Sequence, residues 1–220
     1  MSRKRPGQDI REDILAALAT LANQRPLVLI QLSEIVKLAG VTKGSFYAHF
    51  SSKEEAAAFL AEEEHERLLR NVQERIANLP PSVEMIVAIM FETTHHQLAS
   101  PTTHAALLLT LELYRAPSRE LRGLGKWHRF LAQHVEDARA SGDIAADVDP
   151  EKLAWHILDS WVGAYVVSDM TCARRDLTER IEFLLRFVLG AVVAPDRLPY
   201  FTMYLSRYAA RQRAVANACN

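Results

Sequence analysis

The chain has 220 residues, 49% of them apolar and 24% charged, with a formal net charge of −1. That composition fits an ordinary globular protein of one or two domains. The near-neutral balance excludes indiscriminate nucleic-acid binding by the whole surface. No apolar run approaches the ~18 residues of a membrane-spanning helix. The opening MSRKRPGQD is basic but has no apolar stretch behind it, so a signal peptide is not expected. Cys172 and Cys219 have no metal-ligand spacing. A cytosolic protein in a reducing compartment is expected. Glycine and proline are sparse and long stretches lack any helix breaker, which predicts an all-α fold. The charge is uneven: residues 1–53 hold eight Lys/Arg against four Asp/Glu, whereas the remainder holds 18 against 23. A basic head on an acidic body concentrates attraction for phosphate at one end.

Residues 1–7 are expected to lie outside regular structure, Arg3, Lys4 and Arg5 being either an arm along DNA or a solvated terminus. Asp9 and Glu12 form a capping-box-like pair, followed by a helical stripe of Ile10, Ile14, Ala17, Leu18 and Leu21. Asn23 to Pro26 make a turn. Leu32, Ile35, Val36 and Ala39 then mark one face of a short helix. Gly40 follows where a helix end favours positive φ. Thr42 is placed to cap a third helix by accepting from the amide near Ser45. In that helix Phe46 and Phe50 face inward, leaving Lys43, Ser45, Tyr47 and His49 outward. A helix–turn–helix with small, cationic and hydroxyl side chains on its outer face suits a DNA major groove.

Ser52 caps a long fourth helix running to about Asn78. Its Ala56, Phe59 and Leu60 pack on the head, and its EEEHER run reads as a solvated face. Pro80-Pro81 ends it. The fifth helix, opened by Ser82, carries Val83, Ile86, Val87, Met90, Phe91, Thr94 and Leu98. The sixth, Thr102 to Tyr114, is apolar almost all round and therefore central. Pro117 and Ser118 restart the chain. The seventh carries Leu121, Leu124, His128, Leu131, Val135 and Ala138, and Gly142 stops it. Asp149-Pro150 starts the eighth, with Leu153, Ile157, Leu158, Trp161, Val162 and Tyr165. The ninth carries Ile181, Leu184, Leu185, Val188, Leu189 and Val192, and the last Phe201, Tyr204, Leu205, Tyr208 and Val215. The eighth and ninth are apolar over wide faces, with Gly163 and Gly190 permitting close approach. Either this pair docks on its own copy or it is a hairpin internal to one chain.

The span Ile35, Ala39-Gly40-Val41-Thr42-Lys43-Gly44, Phe46-Tyr47, His49-Phe50 and Lys53 resembles the N-terminal domain of the TetR family of transcriptional regulators. The chain departs from the family at Gln31-Leu32, where a Ser or Thr is common, which puts one helix cap and one phosphate contact in question. The resemblance implies a three-helix DNA-binding head (residues 1–51) and a larger helical effector-binding and dimerisation domain (52–220). It implies a homodimer through a four-helix bundle of the eighth and ninth helices, a palindromic operator, and a regulator rather than an enzyme, working on the nucleoid without a cofactor or membrane contact. Thr42, Lys43, Gly44 and Ser45 would enter the groove. Tyr47, His49 and Lys53 match positions that contact phosphates.

Met90, Phe91, His95, Leu109, Trp127, Phe130, Trp161 and Tyr165 mix apolar walls with a few polar groups, as a pocket for a small, mostly apolar effector would. Trp127 is the strongest single candidate, because a buried indole N–H needs a partner. The TKGSFYAHFSSKEEAA run, Trp127, the Asp147–Val167 stretch and the tyrosine-rich last helix resemble the γ-butyrolactone-type autoregulator receptors within that family. In that group a tryptophan matching Trp127 lines the effector pocket, and Trp161 is a departure that would fill space there. Effector binding would swing the fourth helix and separate two heads.

A competing reading is a di-iron carboxylate bundle. Glu62/His65 and Glu92/His95 have Glu-x-x-His spacing, and Glu112 or Asp159 would complete the ligand set. The spacing arises easily by chance, and a metal centre leaves the basic head unexplained.

Overall fold

The computed structural model describes residues 6–113 and 122–218, with side chains for 10–113 and 123–214. The arm at Arg3, Lys4 and Arg5, the restart at Pro117-Ser118, Leu121 and Cys219 lie outside the described residues, as does the side chain of Val215. The α-helices are α1 Pro6–Ala22, α2 Leu32–Leu38, α3 Lys43–Tyr47, α4 Lys53–Ile76, α5 Val83–Ala99, α6 Pro101–Leu113, α7 Arg122–Ala140, α8 Pro150–Cys172, α9 Leu177–Val192 and α10 Leu198–Ala218. A 3-10 turn covers Leu27–Leu29, and an isolated bridge joins Ile144 to Val193. Two compact units result: Met1–Leu68 with Ala99–Gly123, and Leu69–Leu98 with Leu124–Asn220.

In the first unit, α1 begins at Pro6 rather than at an Asp9 cap. Proline is tolerated in the first turn, where its missing N–H has no helical acceptor to lose. Ile14 and Leu18 of α1, Ile30, Ile35 of α2, Phe46 of α3 and Leu60 of α4 are buried in one core. Ala105 and Leu109 of α6 join it, and α6 packs along α1. Compact packing thus groups α6 and the first part of α4 with α1, α2 and α3. Sequence pattern could not assign α6, because a helix apolar on all sides does not say which core it enters.

Two turns position the recognition segment. Gly40 holds φ +68 after α2, a conformation glycine adopts without strain. Thr42 Oγ1 accepts from Ser45 N–H at 3.0 Å and starts α3. Gln31 does not leave α2 uncapped, because its N–H donates to Glu34 Oε2 at 2.9 Å, half of a capping box. Ser52 Oγ accepts from Glu55 N–H at 3.1 Å and starts α4 as expected.

The EEEHER run of α4 is not uniformly solvated. Glu64 is buried, pairs with Arg67 at 2.5 Å and accepts from Thr103 Oγ1 of α6 at 3.4 Å. His65 Nε2 meets Thr110 Oγ1 at 2.9 Å, and the Thr110 hydroxyl hydrogen goes to Ala106 O at 2.8 Å. The imidazole must therefore be the donor at Nε2. Burial pushes its pKa down to about 4. Gly123 lies so close to the ring that a Cβ there would sit 3.1 Å from His65 Cδ2.

In the second unit α5 is buried on nearly every side, not along one stripe. Trp161 of α8 donates its indole N–H to Thr94 Oγ1 at 3.0 Å. Tyr208 of α10 stacks on Phe91 at 5.5 Å and donates to Glu92 at 3.0 Å. Asp149 accepts from Glu151 and Lys152 amides at the start of α8, with Pro150 in the first turn as expected. α9 buries Leu177, Ile181, Leu185, Val188 and Leu189, and packs on α8 and α10. Ala173 and Arg174, at φ 52 and 65, turn the chain between α8 and α9 in the left-handed region.

Candidate DNA-binding and effector sites

α3 is shorter than expected. It ends at Tyr47, so His49 and Phe50 belong to the turn after it. The segment still divides as the sequence predicts. Phe46 and Phe50 are buried, with ring centroids 5.9 Å apart. Thr42, Lys43, Gly44 and Tyr47 are exposed, Tyr47 by 57%, while Ser45 and His49 are half-buried. Ser45 Oγ lies 2.9 Å from Thr42 Oγ1, so its hydroxyl belongs to the helix cap. Lys43 is exposed, and among the described residues its side chain makes no hydrogen bond or ion pair.

Lys53 is placed differently from a free phosphate contact. Its ammonium donates to Ile30 O at 2.6 Å, Leu27 O at 2.9 Å and Val28 O at 3.4 Å. The same 3-10 turn is held from its other side, where Leu27 N–H donates to Glu112 Oε2 of α6 at 2.8 Å. Asn23 Nδ2 donates to Pro101 O at the opposite end of α6 at 2.9 Å. Two elements distant in sequence, α4 and α6, therefore clamp the loop that leads into α2.

The eight effector candidates do not form one class. Leu109 is buried in the core of the first unit. Trp161 already has its N–H on Thr94 and stacks on Tyr165 at 5.5 Å, which makes it a packed core residue. Tyr165 is fully buried, and that burial pushes its hydroxyl pKa up to about 12. Met90 and Phe91 are buried on α5, His95 is half-buried, and Phe130 is half-buried against Trp127 with centroids 6.0 Å apart. Trp127 is only 6% exposed. Thr93 and Gln97, which sequence reasoning passed over, are buried on α5 without a partner for their oxygens. Only their burial marks them, and no local pattern announces it.

The metal reading does not survive. Among the described residues no group of three or more His, Cys, Asp or Glu is arranged to hold an ion. His65 is bound to Thr110, Glu112 holds Leu27 N–H, and Glu92 accepts from Tyr208 and Gln212 with Arg75 3.4 Å away. Among the described residues no helix is long and apolar enough to cross a membrane.

Outward from the α8–α9 pair, Val167, Met170, Phe183 and Phe187 are exposed, Met170 by 80% and Phe187 by 70%. A Cβ added at Gly163 or Gly190 would meet nothing within 4 Å, so both glycines leave open surface.

Residues 14–57, spanning most of α1 through the start of α4, match the model for bacterial regulatory proteins of the tetR family. Residues 118–183 match the tetracyclin repressor-like C-terminal domain. The A-factor receptor protein of Streptomyces griseus is 26% identical over 164 residues, 74% of this chain but only 56% of that protein's length. A solved γ-butyrolactone receptor, an ArpA-like protein, superposes with a TM-score of 0.77 at 24% identity, covering 94% of this chain and all of the other. The TetR-family protein CprB of Streptomyces coelicolor, solved with its operator sequence, gives 0.77 at 24% identity over 92% and 98%. At those identities the two structures speak for the fold. With the helix–turn–helix of α2 and α3 built as described and both domain models matching in order, the chain belongs to the TetR family of bacterial regulatory proteins.

Proposed function

We propose that this chain is a ligand-responsive transcriptional repressor, working in the cytoplasm as a homodimer on a palindromic operator. The observation that carries this reading is the α3 segment, where Phe46 anchors the helix and Thr42, Lys43, Gly44 and Tyr47 stand exposed on it. Lys43 donates to guanine O6 or N7, and Gly44 lets the backbone approach a base closely. Thr42 and Ser45 fix the start of α3, and Tyr47 and His49 reach phosphates. Lys53 acts mainly through the loop it clamps, since its three carbonyl contacts satisfy the ammonium.

The exposed apolar faces of α8 and α9 support pairing with a second copy. An aromatic pair such as Phe183 and Phe187, with Met170 beside open glycine positions, is surface that water penalises and a four-helix bundle buries. Two heads related by the resulting two-fold axis read half-sites about one helical turn apart or somewhat more.

The effector is a small, largely apolar molecule of the γ-butyrolactone kind, bound in the second unit. The buried Trp127 supports this, as a residue whose indole N–H can donate to a carbonyl oxygen. The order of the two matched models supports a reading head followed by a receiving body. Selection of bound duplexes from a random pool tests the reading. It should recover a palindrome whose affinity falls when a lactone ligand is added. Recovery of no symmetric sequence would set the proposal aside.

A further inference from the structure

Two neighbouring polar side chains of α5 are buried without partners. Thr93 is 8% exposed and Gln97 2%, and neither Thr93 Oγ1 nor Gln97 Oε1 has a hydrogen-bond partner. Four residues apart, they stand on one face of the helix. The spacing 86, 90, 93, 97 continues that face through Ile86 and Met90, both buried. The other faces are differently employed. Thr94 receives the Trp161 indole, and Phe91 with Glu92 receives Tyr208. Thr94 also bonds its own hydroxyl to Met90 O at 2.7 Å, the usual resort of a buried helical threonine, whereas Thr93 makes no such bond. A fold that satisfies Thr94 but leaves the Thr93 and Gln97 oxygens open keeps a desolvated polar pair at a cost in stability.

We propose that Thr93 and Gln97 bind the polar end of the effector, a neutral hydroxyl that donates to Gln97 Oε1 and accepts from Thr93 Oγ1–H, with an apolar remainder along Ile86 and Met90. A neutral group is required because neither side chain carries charge, and an ionised one would lose its hydration for two neutral bonds. This rests on the reading of the second unit as the effector-binding part, and it adds two residues and the chemistry of the ligand's head.

The test uses the full chain, Thr93→Val, Gln97→Leu, and two probes. One probe is a hexyl-substituted γ-butyrolactone bearing a hydroxymethyl group, and the other is its methyl twin. Without ligand, both variants should melt at the wild-type temperature or a few degrees above it, because no protein hydrogen bond is lost. The hydroxymethyl lactone should raise the wild-type Tm more than its twin does, and that difference should vanish in both variants. A preference that persists in both variants would overturn the proposal. So would a ligand-free Tm lowered by more than ~4 °C in both, since that size of loss means the pair is satisfied inside the protein. If neither lactone shifts the wild type, the lactone reading fails, and the ligand-free melting alone decides the pair, an unchanged or raised Tm keeping it and a fall rejecting it.

Discussion

The polar groups of the two compact units are treated in opposite ways. In the first, buried or half-buried polar side chains find partners far along the chain: His65 on Thr110, Glu64 on Thr103, Lys53 on Leu27 and Ile30, Glu112 on Leu27. In the second, α5 is buried on nearly every side but leaves the Thr93 and Gln97 oxygens open. A unit that must present α3 rigidly gains from closing most such bonds, with Asn23 Oδ1 and Arg25 Nε left open among its described buried atoms. A unit that must receive a molecule needs bonds still to be made. The contrast is one of purpose more than of composition, since both cores are built from the same aliphatic and aromatic residues.

The largest expected effect breaks the closed unit by pH. The folded His65 ring titrates near 4 against an ordinary 6.5 because burial disfavours its charged form. As pH falls below 6.5 the unfolded chain takes up a proton that the folded ring refuses, so stability declines until the pH reaches about 4. The total loss is up to about 3 kcal/mol, and above neutrality this group has no further effect. Urea unfolding across that range should show a steeper decline for the wild type than for His65→Gln, and parallel curves would contradict the burial of the ring.

Next in size is Lys53→Ala, which strips three carbonyls of their donor. It should cost about 2 kcal/mol of head stability, seen as a lower urea midpoint. Lys43→Ala, with its ammonium directed to no internal acceptor, should leave the midpoint unchanged. Smaller still is a matched pair that sharpens the comparison directly. Thr110→Val strands the His65 N–H and should cost about 1–2 kcal/mol, whereas the same change at Thr93 should cost nothing or stabilise. Equal losses at both threonines, measured by thermal melting, would erase the distinction between the units. Smallest is Ala173→Gly. It relieves an alanine held at φ 52 and should stabilise by about 0.5–1 kcal/mol.

Local spacing made the head legible. The i, i+3, i+4, i+7 pattern from Leu32, the positive φ of Gly40, the Thr42 cap and the Asp149-Pro150 start each depend on residues within a few positions of one another. What lay beyond reach depends on long-range pairing. Glu64 and His65 read as a solvated run because their partners lie about forty residues away on α6. Leu109 looked like a pocket wall because α6 gives no sign of which unit it joins. The Gln31 cap is legible in the sequence even without a hydroxyl at that position, since Glu34 three residues on is the capping-box acid. Thr93 and Gln97 sat inside an apolar helix with nothing in their spacing to separate them from solvated polar residues.

The claim on which the account turns is that the exposed face of α3 reads bases while the rest of the head holds that face in place. The most direct test is the ratio of affinities for the selected operator and for a random duplex, measured for wild type and Lys43→Ala at equal salt. The account predicts that the ratio falls at least ~5-fold in the variant, as loss of a base contact worth about 1–3 kcal/mol requires. Equal proportional weakening on both duplexes would place Lys43 on the phosphate backbone and contradict the account.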